Sequence, residues 1–260
     1  MNASHSTLDA TISAEERLVR QDLAAAYQLI SLLKMDDSIY THISARVPGD
    51  HEHFLINPFG LFFNEVTASS LVKIDLEGQI VGQSDYVVNP AGFTIHSAIH
   101  AARPDAQCIV HTHTIGGVTV SSLKKGLVPN NQWAFQFYDR VAYHDFEGLA
   151  LDLDERTRLT QSLGPTLRSL MLRNHGLLTL GRSVAEAFIL MHNLERACRV
   201  QLAIMSSGGE VSAVSEAIKE RTAQQYERGG SNAGQTNPLA REWLGFRRRL
   251  EAEVGMAYLD

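Results

Sequence analysis

Two histidines separated by one residue, His111 and His113, close an apolar run that begins near Ala106. Side chains alternate across a β-strand, so both imidazoles leave such a strand on one face while Thr112 points the other way. A pair of imidazoles at a strand end is half of a metal site. An H-x-H pair by itself is a weak signal, because a core histidine often does no more than satisfy a hydrogen bond. The context adds weight: the chain turns polar at Thr114 and reaches Gly116-Gly117. Strand ends that open onto loops are where sites form in sheets covered by helices. The third ligand must come from another turn. His175 in Asn174-His175-Gly176, between two apolar segments, is the candidate, since glycine permits a tight turn and packing gives a histidine little reason to stand there. His96 and His100 form an i, i+4 pair, a spacing that also serves metals, but Ser97-Ala98-Ile99 between them contains no acid. His100 reads as a surface or interface residue. His42, His51, His53, His144 and His192 have no partner spacing and default to solvent or hydrogen-bonding roles.

These side chains need a scaffold. Ser13-Ala14-Glu15-Glu16 is a capping box, and Leu18, Ala25, Leu29 and Leu32 continue at helical spacing to about Met35. Strand character follows in Ile39–Val47, in Phe54-Leu55-Ile56 before Asn57-Pro58, and in Leu71–Val81 with a turn at Glu77-Gly78. Asn89-Pro90 starts a helix that must end before Pro104. Ala106–His113 is a buried strand, followed by a polar, glycine-containing segment to Gly126. A further strand lies around Val141-Ala142-Tyr143, and a short helix spans Thr157–Leu167. Leu170–Leu172 and Leu177–Leu180 are strands joined by Arg173-Asn174-His175-Gly176. Ser183-Val184-Ala185-Glu186 opens a long helix to about Met205, stopped by Gly208-Gly209, and a last amphipathic helix spans Leu239–Val254. Strands and helices alternate irregularly with hairpin-like spacings, which suggests an α/β domain on a mixed or mostly antiparallel sheet.

Composition narrows the function classes. Among 260 residues, 23 Lys and Arg stand against 29 Asp and Glu, a net charge of −6 with no basic stripe, which argues against nucleic acid as the ligand. No stretch approaches the roughly 18 consecutive apolar residues of a membrane helix, and the first dozen residues lack a secretory pattern. Cys108 and Cys198 sit in apolar runs and read as reduced, buried residues of a cytoplasmic protein.

The string from Asn89 to Asp105, running on to Ile109-Val110-His111-Thr112-His113-Thr114, resembles the class II aldolase/adducin family. So do Thr41-His42-Ile43-Ser44-Ala45-Arg46, Asn57-Pro58-Phe59-Gly60 and Leu172-Arg173-Asn174-His175-Gly176. The resemblance covers roughly residues 15 to 210. It implies an α/β/α sandwich with a mainly antiparallel central sheet and a homotetramer with sites between subunits. It also implies one divalent metal ion per subunit on His111, His113 and His175, zinc first, with manganese, iron or cobalt as alternatives. On this reading residues 1–14 are a flexible tail and 15–225 the metal-binding domain. Residues 226–260 hold a mobile Gly-rich segment (Gly229–Asn237) and a C-terminal helix at a subunit interface, with Tyr258 reaching a neighbour's metal.

The family's pattern is broken at informative places. Its sugar-phosphate aldolases carry a proton-transferring Glu four residues before the position of His96, and here that position is Gly92. Three phosphate-holding motifs are altered: His42 replaces an Asn, Phe59 replaces a hydroxyl residue before Gly60, and Pro90-Ala91 replace two serines. The neighbouring subunit's proton-donating Tyr corresponds to Trp133, whose indole donates a hydrogen bond but exchanges no proton. Aldol cleavage needs a base at the metal, whereas the bond-breaking step of decarboxylation does not. Phe59, Phe62, Phe93 and Trp133 suit a flat or hydrophobic substrate, although Phe62 also reads as core. The expectation is a carbon–carbon lyase for a non-phosphorylated small-molecule acid, decarboxylase before aldolase. His96 is its proton shuttle, and His42, Phe59, Gly60, Gly92 and Tyr258 bind substrate. An adducin-like scaffold and a three-His iron oxygenase are the alternatives.

Overall fold

The computed structural model describes residues 12–50, 52–148, 154–231 and 237–260. Most of the expected N-terminal tail, His51, and residues 232–236 of the expected Gly-rich segment lie outside the described residues.

Seven strands form one sheet in the order β3-β2-β1-β4-β7-β6-β5. They are β1 (His42–Arg46), β2 (His53–Ile56), β3 (Val72–Asp75), β4 (Cys108–Thr112), β5 (Val141–His144), β6 (Ser169–Leu172) and β7 (Gly176–Gly181). Every neighbouring pair is antiparallel except β5 with β6. The mainly antiparallel sheet read from the sequence is therefore present.

The period-two alternation of the central strands sorts their side chains into two cores. Cys108 and Val110 of β4, Met171 of β6 and Leu177 of β7 face a large cluster beneath α1 (Ala14–Leu32) and α6 (Val184–Ser207). Ile109, Leu170, Leu172, Leu178 and Leu180 face the opposite cluster, built with α2 (Pro90–Ala102) and α5 (Glu155–Leu163). This makes the α/β/α sandwich. His111 follows Ile109 by two residues, so it emerges on the α2 side.

Helix boundaries follow their caps. Ser13 Oγ accepts from Glu16 N–H at 3.0 Å, and Ser183 Oγ accepts from Glu186 N–H at 3.2 Å. A cap of this kind contributes about 1 kcal/mol. The segment from Thr114 to Gly126, read as polar loop, contains α3 (Ile115–Ser121), capped by Thr114 and braced by Glu195, which accepts from Gly117 N–H at 3.1 Å. Two more helices were not legible: α4 (Gln132–Gln136) and α7 (Glu216–Ser231). The helix α7 carries Gly229 and Gly230 in its last turn, so the start of the expected mobile segment is helical.

The last helix α8 (Pro238–Val254) packs on its own chain. Trp243 and Leu250 are buried in the larger cluster, and Arg247 pairs with Asp22 of α1 at 2.6 Å. Tyr258 corrects an expectation. It is 2% exposed, its hydroxyl accepts from Arg247 Nε at 3.1 Å, and its carbonyl accepts from Ala68 N–H at 2.9 Å. So enclosed, the ring packs within its own subunit, whereas the expectation has it reach towards a neighbour's metal.

Candidate metal centre

The three expected ligands converge. His111 is the penultimate residue of β4, His113 follows its last residue, and His175 stands in the turn between β6 and β7, the latter next to β4 in the sheet. Their ring centroids are 4.8 to 4.9 Å apart, and one ligand atom from each lies within 4.8 Å of the others. The turn is specialised. Asn174 has φ +58°, and a Cβ on Gly176 would overlap the carbonyl oxygen of Thr112. Only glycine lets this turn approach the end of β4 closely enough to bring His175 to the pair.

Hydrogen bonding prepares the first two rings for a cation. His111 Nδ1 lies 2.9 Å from the carbonyl oxygen of Leu177, and His113 Nδ1 lies 2.9 Å from Asp37 Oδ2. A carbonyl and a carboxylate only accept, so each ring carries its proton on Nδ1 and leaves Nε2 bare. The two Nε2 atoms stand 3.0 Å apart. Two lone pairs facing each other at that distance repel unless a cation lies between them. Adjacent nitrogens on a metal with bonds of about 2.1 Å and near-perpendicular directions are about 3.0 Å apart, so the residues fit the ion. Burial, with the neighbouring imidazoles, pushes His111 well below the usual histidine range. Burial, then His113 and His144, lowers His175 to about 4. Both shifts favour the neutral form of His111 and His175, the form that binds metal.

A second file of histidines stands behind the first. His42 opens β1 and pairs in register with His111 of β4, their rings 5.2 Å apart. Its Nδ1 lies 2.9 Å from His96 Nε2. His96 Nδ1 lies 2.5 Å from Ser44 Oγ, which lies 2.8 Å from His100 Nε2, and His100 Nδ1 meets the carbonyl oxygen of Ala106 at 3.2 Å. His100 is 1% exposed and therefore not a surface residue. Its pKa falls to about 3, first through burial and then through Arg46. His96 is wholly buried with both ring nitrogens engaged, so it cannot touch substrate as expected. His42 faces the three-histidine group and His96 stands behind it.

Gly92 explains why no carboxylate replaces the missing one. A Cβ there would overlap the His42 ring, with Cγ and Nε2 only 2.9 Å away. The imidazole occupies the volume that a side chain at position 92 would need.

The remaining expected residues are scattered. Trp133 on α4 is half-buried under Arg196, whose guanidinium lies 4.7 Å from the ring. Among the described residues, no ring contact joins Trp133 to the histidines. Phe59 lies against Tyr40, Gly60 is exposed with φ +106°, and Phe62 is 47% exposed and so not core. Phe93 packs against the small cluster of Phe54, Ile56, Val72 and Ile74. The expected aromatic pocket is therefore not assembled within one chain. The aromatic beside the ligands is Phe146, 6.3 Å from His175. Asp37 and Phe146 were missed; the nearest signal for Asp37 is the acidic pair Asp36-Asp37 ahead of the first strand, which says nothing about where β4 lies.

The model of the class II aldolase and adducin N-terminal domain matches residues 21–202. The chain belongs to the class II aldolase/adducin family. Among solved structures, an aldolase II superfamily protein from Pseudomonas syringae is 48% identical, covering 96% of this chain and 98% of that one with a TM-score of 0.88. An L-fuculose 1-phosphate aldolase from Glaciozyma antarctica is 30% identical, with 97% and 96% covered and a TM-score of 0.79. Mouse (Mus musculus) alpha-adducin is 51% identical over 75% of this chain but only 26% of its own length. The sandwich, the three-histidine group and the family are thus consistent, and no helix among the described residues is long and apolar enough to cross a membrane.

Proposed function

We propose that this chain is a metal-dependent carbon–carbon lyase for a non-phosphorylated organic acid, with decarboxylation as its reaction. The observation that carries the reading is the pairing of a complete three-histidine ligand set with Gly92 and His42, where sugar-phosphate aldolases of the family carry Glu and Asn. A divalent ion held by His111, His113 and His175, zinc foremost, would supply a Lewis acid that draws electron density from a chelated acid. Asp37 and the Leu177 carbonyl orient two of the ligand rings. Phe59 and Pro90 stand where phosphate-binding hydroxyls would be needed, which disfavours a phosphorylated substrate. The similarity to an L-fuculose 1-phosphate aldolase supports the lyase class.

The site is shallow within one subunit. The hollow beside His175 is lined by His144, Phe146, Glu147 and Arg173, and Ile115, two residues after His113, is 84% exposed. A neighbouring subunit would complete the walls, and a cytoplasmic homotetramer is the assembly this reading requires. The test is a screen of zinc-, manganese- and iron-loaded protein against 2-keto acids and hydroxyaryl carboxylates, following CO₂ and O₂ separately. CO₂ release without O₂ uptake is expected. O₂ consumption would point to an oxygenase instead, and cleavage of a ketose phosphate would contradict the reading. The likeness to alpha-adducin favours a second reading, a binding module without turnover. Purified protein free of metal and inert when loaded would support it.

A further inference from the structure

We infer that the carbonyl of Ala106 fixes the tautomers of His100, His96 and His42, so that His42 presents a bare Nε2 to hydroxyl groups at the metal centre. The inference about substrate rests on the lyase reading; the tautomer assignment does not.

The argument is proton counting along four contacts. The Ala106 carbonyl only accepts, so His100 carries its proton on Nδ1 and donates it there. The Arg46 guanidinium, whose Nη2 donates to the His100 carbonyl at 2.5 Å, opposes a second proton on that ring. His100 Nε2 is then an acceptor, and Ser44 Oγ must give it its single hydrogen. Ser44 has no hydrogen left for His96, so His96 Nδ1 donates to Ser44 Oγ. A neutral His96 keeps Nε2 bare and receives the Nδ1 proton of His42. The neutral His42 ring has then spent its one proton at Nδ1, and its Nε2 is left as an acceptor.

That nitrogen lies 2.9 Å from where a Cβ of residue 92 would be. His42 thus supplies, from β1, an acceptor in the space that α2 would otherwise fill with an acidic side chain. Ser44, His96 and His100 are positioning residues for it. An acceptor there selects a substrate with a hydroxyl beside its metal-binding carboxylate, a hydroxy acid over the same acid without the hydroxyl.

Nitrogen-15 NMR of histidine-labelled, metal-free protein reads the tautomers directly. The expected spectrum has His42, His96 and His100 each protonated at Nδ1 with an unprotonated Nε2. Protonation of His42 at Nε2 overturns the inference. Ser44→Ala should leave His42 and His96 in mixed tautomers, while Ser44→Thr, which keeps the hydroxyl, should restore a single one. Unchanged tautomers in folded Ser44→Ala would overturn the relay. On zinc-loaded protein, the preference for 2-hydroxybenzoate over benzoate should fall about tenfold in His42→Phe, the value of one hydrogen bond. An equal preference in both proteins would overturn the acceptor role, while leaving the metal site and the lyase reading to the activity screen.

Discussion

Six of the eleven histidines form two groups that touch through His42 and His111, and the groups are built for opposite purposes. His111, His113 and His175 bring one ring nitrogen each toward one point, and His111 and His113 give their other nitrogens to the Leu177 carbonyl and Asp37. His42, His96 and His100 bond in series, and the last two offer nothing to a ligand. The first group would be stabilised by a cation; the second is satisfied without one. The same side chain, one strand apart, is a ligand or a link according to what its second nitrogen meets.

The contrast is broken most severely by removing a ligand. His111→Ala should lose nearly all bound metal in elemental analysis, whereas His100→Ala should retain it; equal loss in both would merge the two groups. Asp37→Ala should weaken metal binding about 10- to 100-fold by equilibrium dialysis, because His113 loses the acceptor that orients it. Gly92→Ala should destabilise the fold by about 1–3 kcal/mol in thermal unfolding, through overlap with His42. Combined with His42→Asn, the cost should be less than the sum of the two single changes.

Acidity acts on both groups, and in the second it can be read through His100. The folded pKa of His100 is depressed to about 3, below the ordinary histidine value, so the unfolded chain binds its proton first. Metal-free protein should therefore lose stability as pH falls from about 6.5 toward 3, and His100→Phe should flatten that fall. Tyr258→Phe sets the lower end of the scale. It should cost about 1 kcal/mol by removing one hydrogen bond from Arg247, which keeps its pairing with Asp22, and change metal content not at all, as a packing residue would.

The ligand group was legible because its signals are local. The spacing of His111 and His113 gives a shared strand face, and Asn174-His175-Gly176 gives a turn. The order of the second group was not. His42, Ser44 and Arg46 meet α2 only because β1 pairs with β4 in a particular register, and no spacing within the chain reveals that pairing. His96 was placed at the metal by its distance from Gly92 along one helix, but the ring of His42 stands between. Gly116-Gly117 concealed α3, and the polar residues of α7 concealed a helix held by Arg140 pairing with Glu220 at 2.8 Å and Glu227 at 3.0 Å. Strand and helix patterns announced most of the sandwich because the alternation of the central strands divides cleanly between two cores.

X-ray absorption of the zinc-loaded protein tests the metal centre most directly. Three imidazole nitrogens at about 2.0–2.1 Å, with the remaining positions filled by oxygen, are expected in the wild type, falling to two nitrogens or to loss of bound zinc in His175→Ala. A sulfur neighbour, or a spectrum unchanged by His175→Ala, would contradict the site.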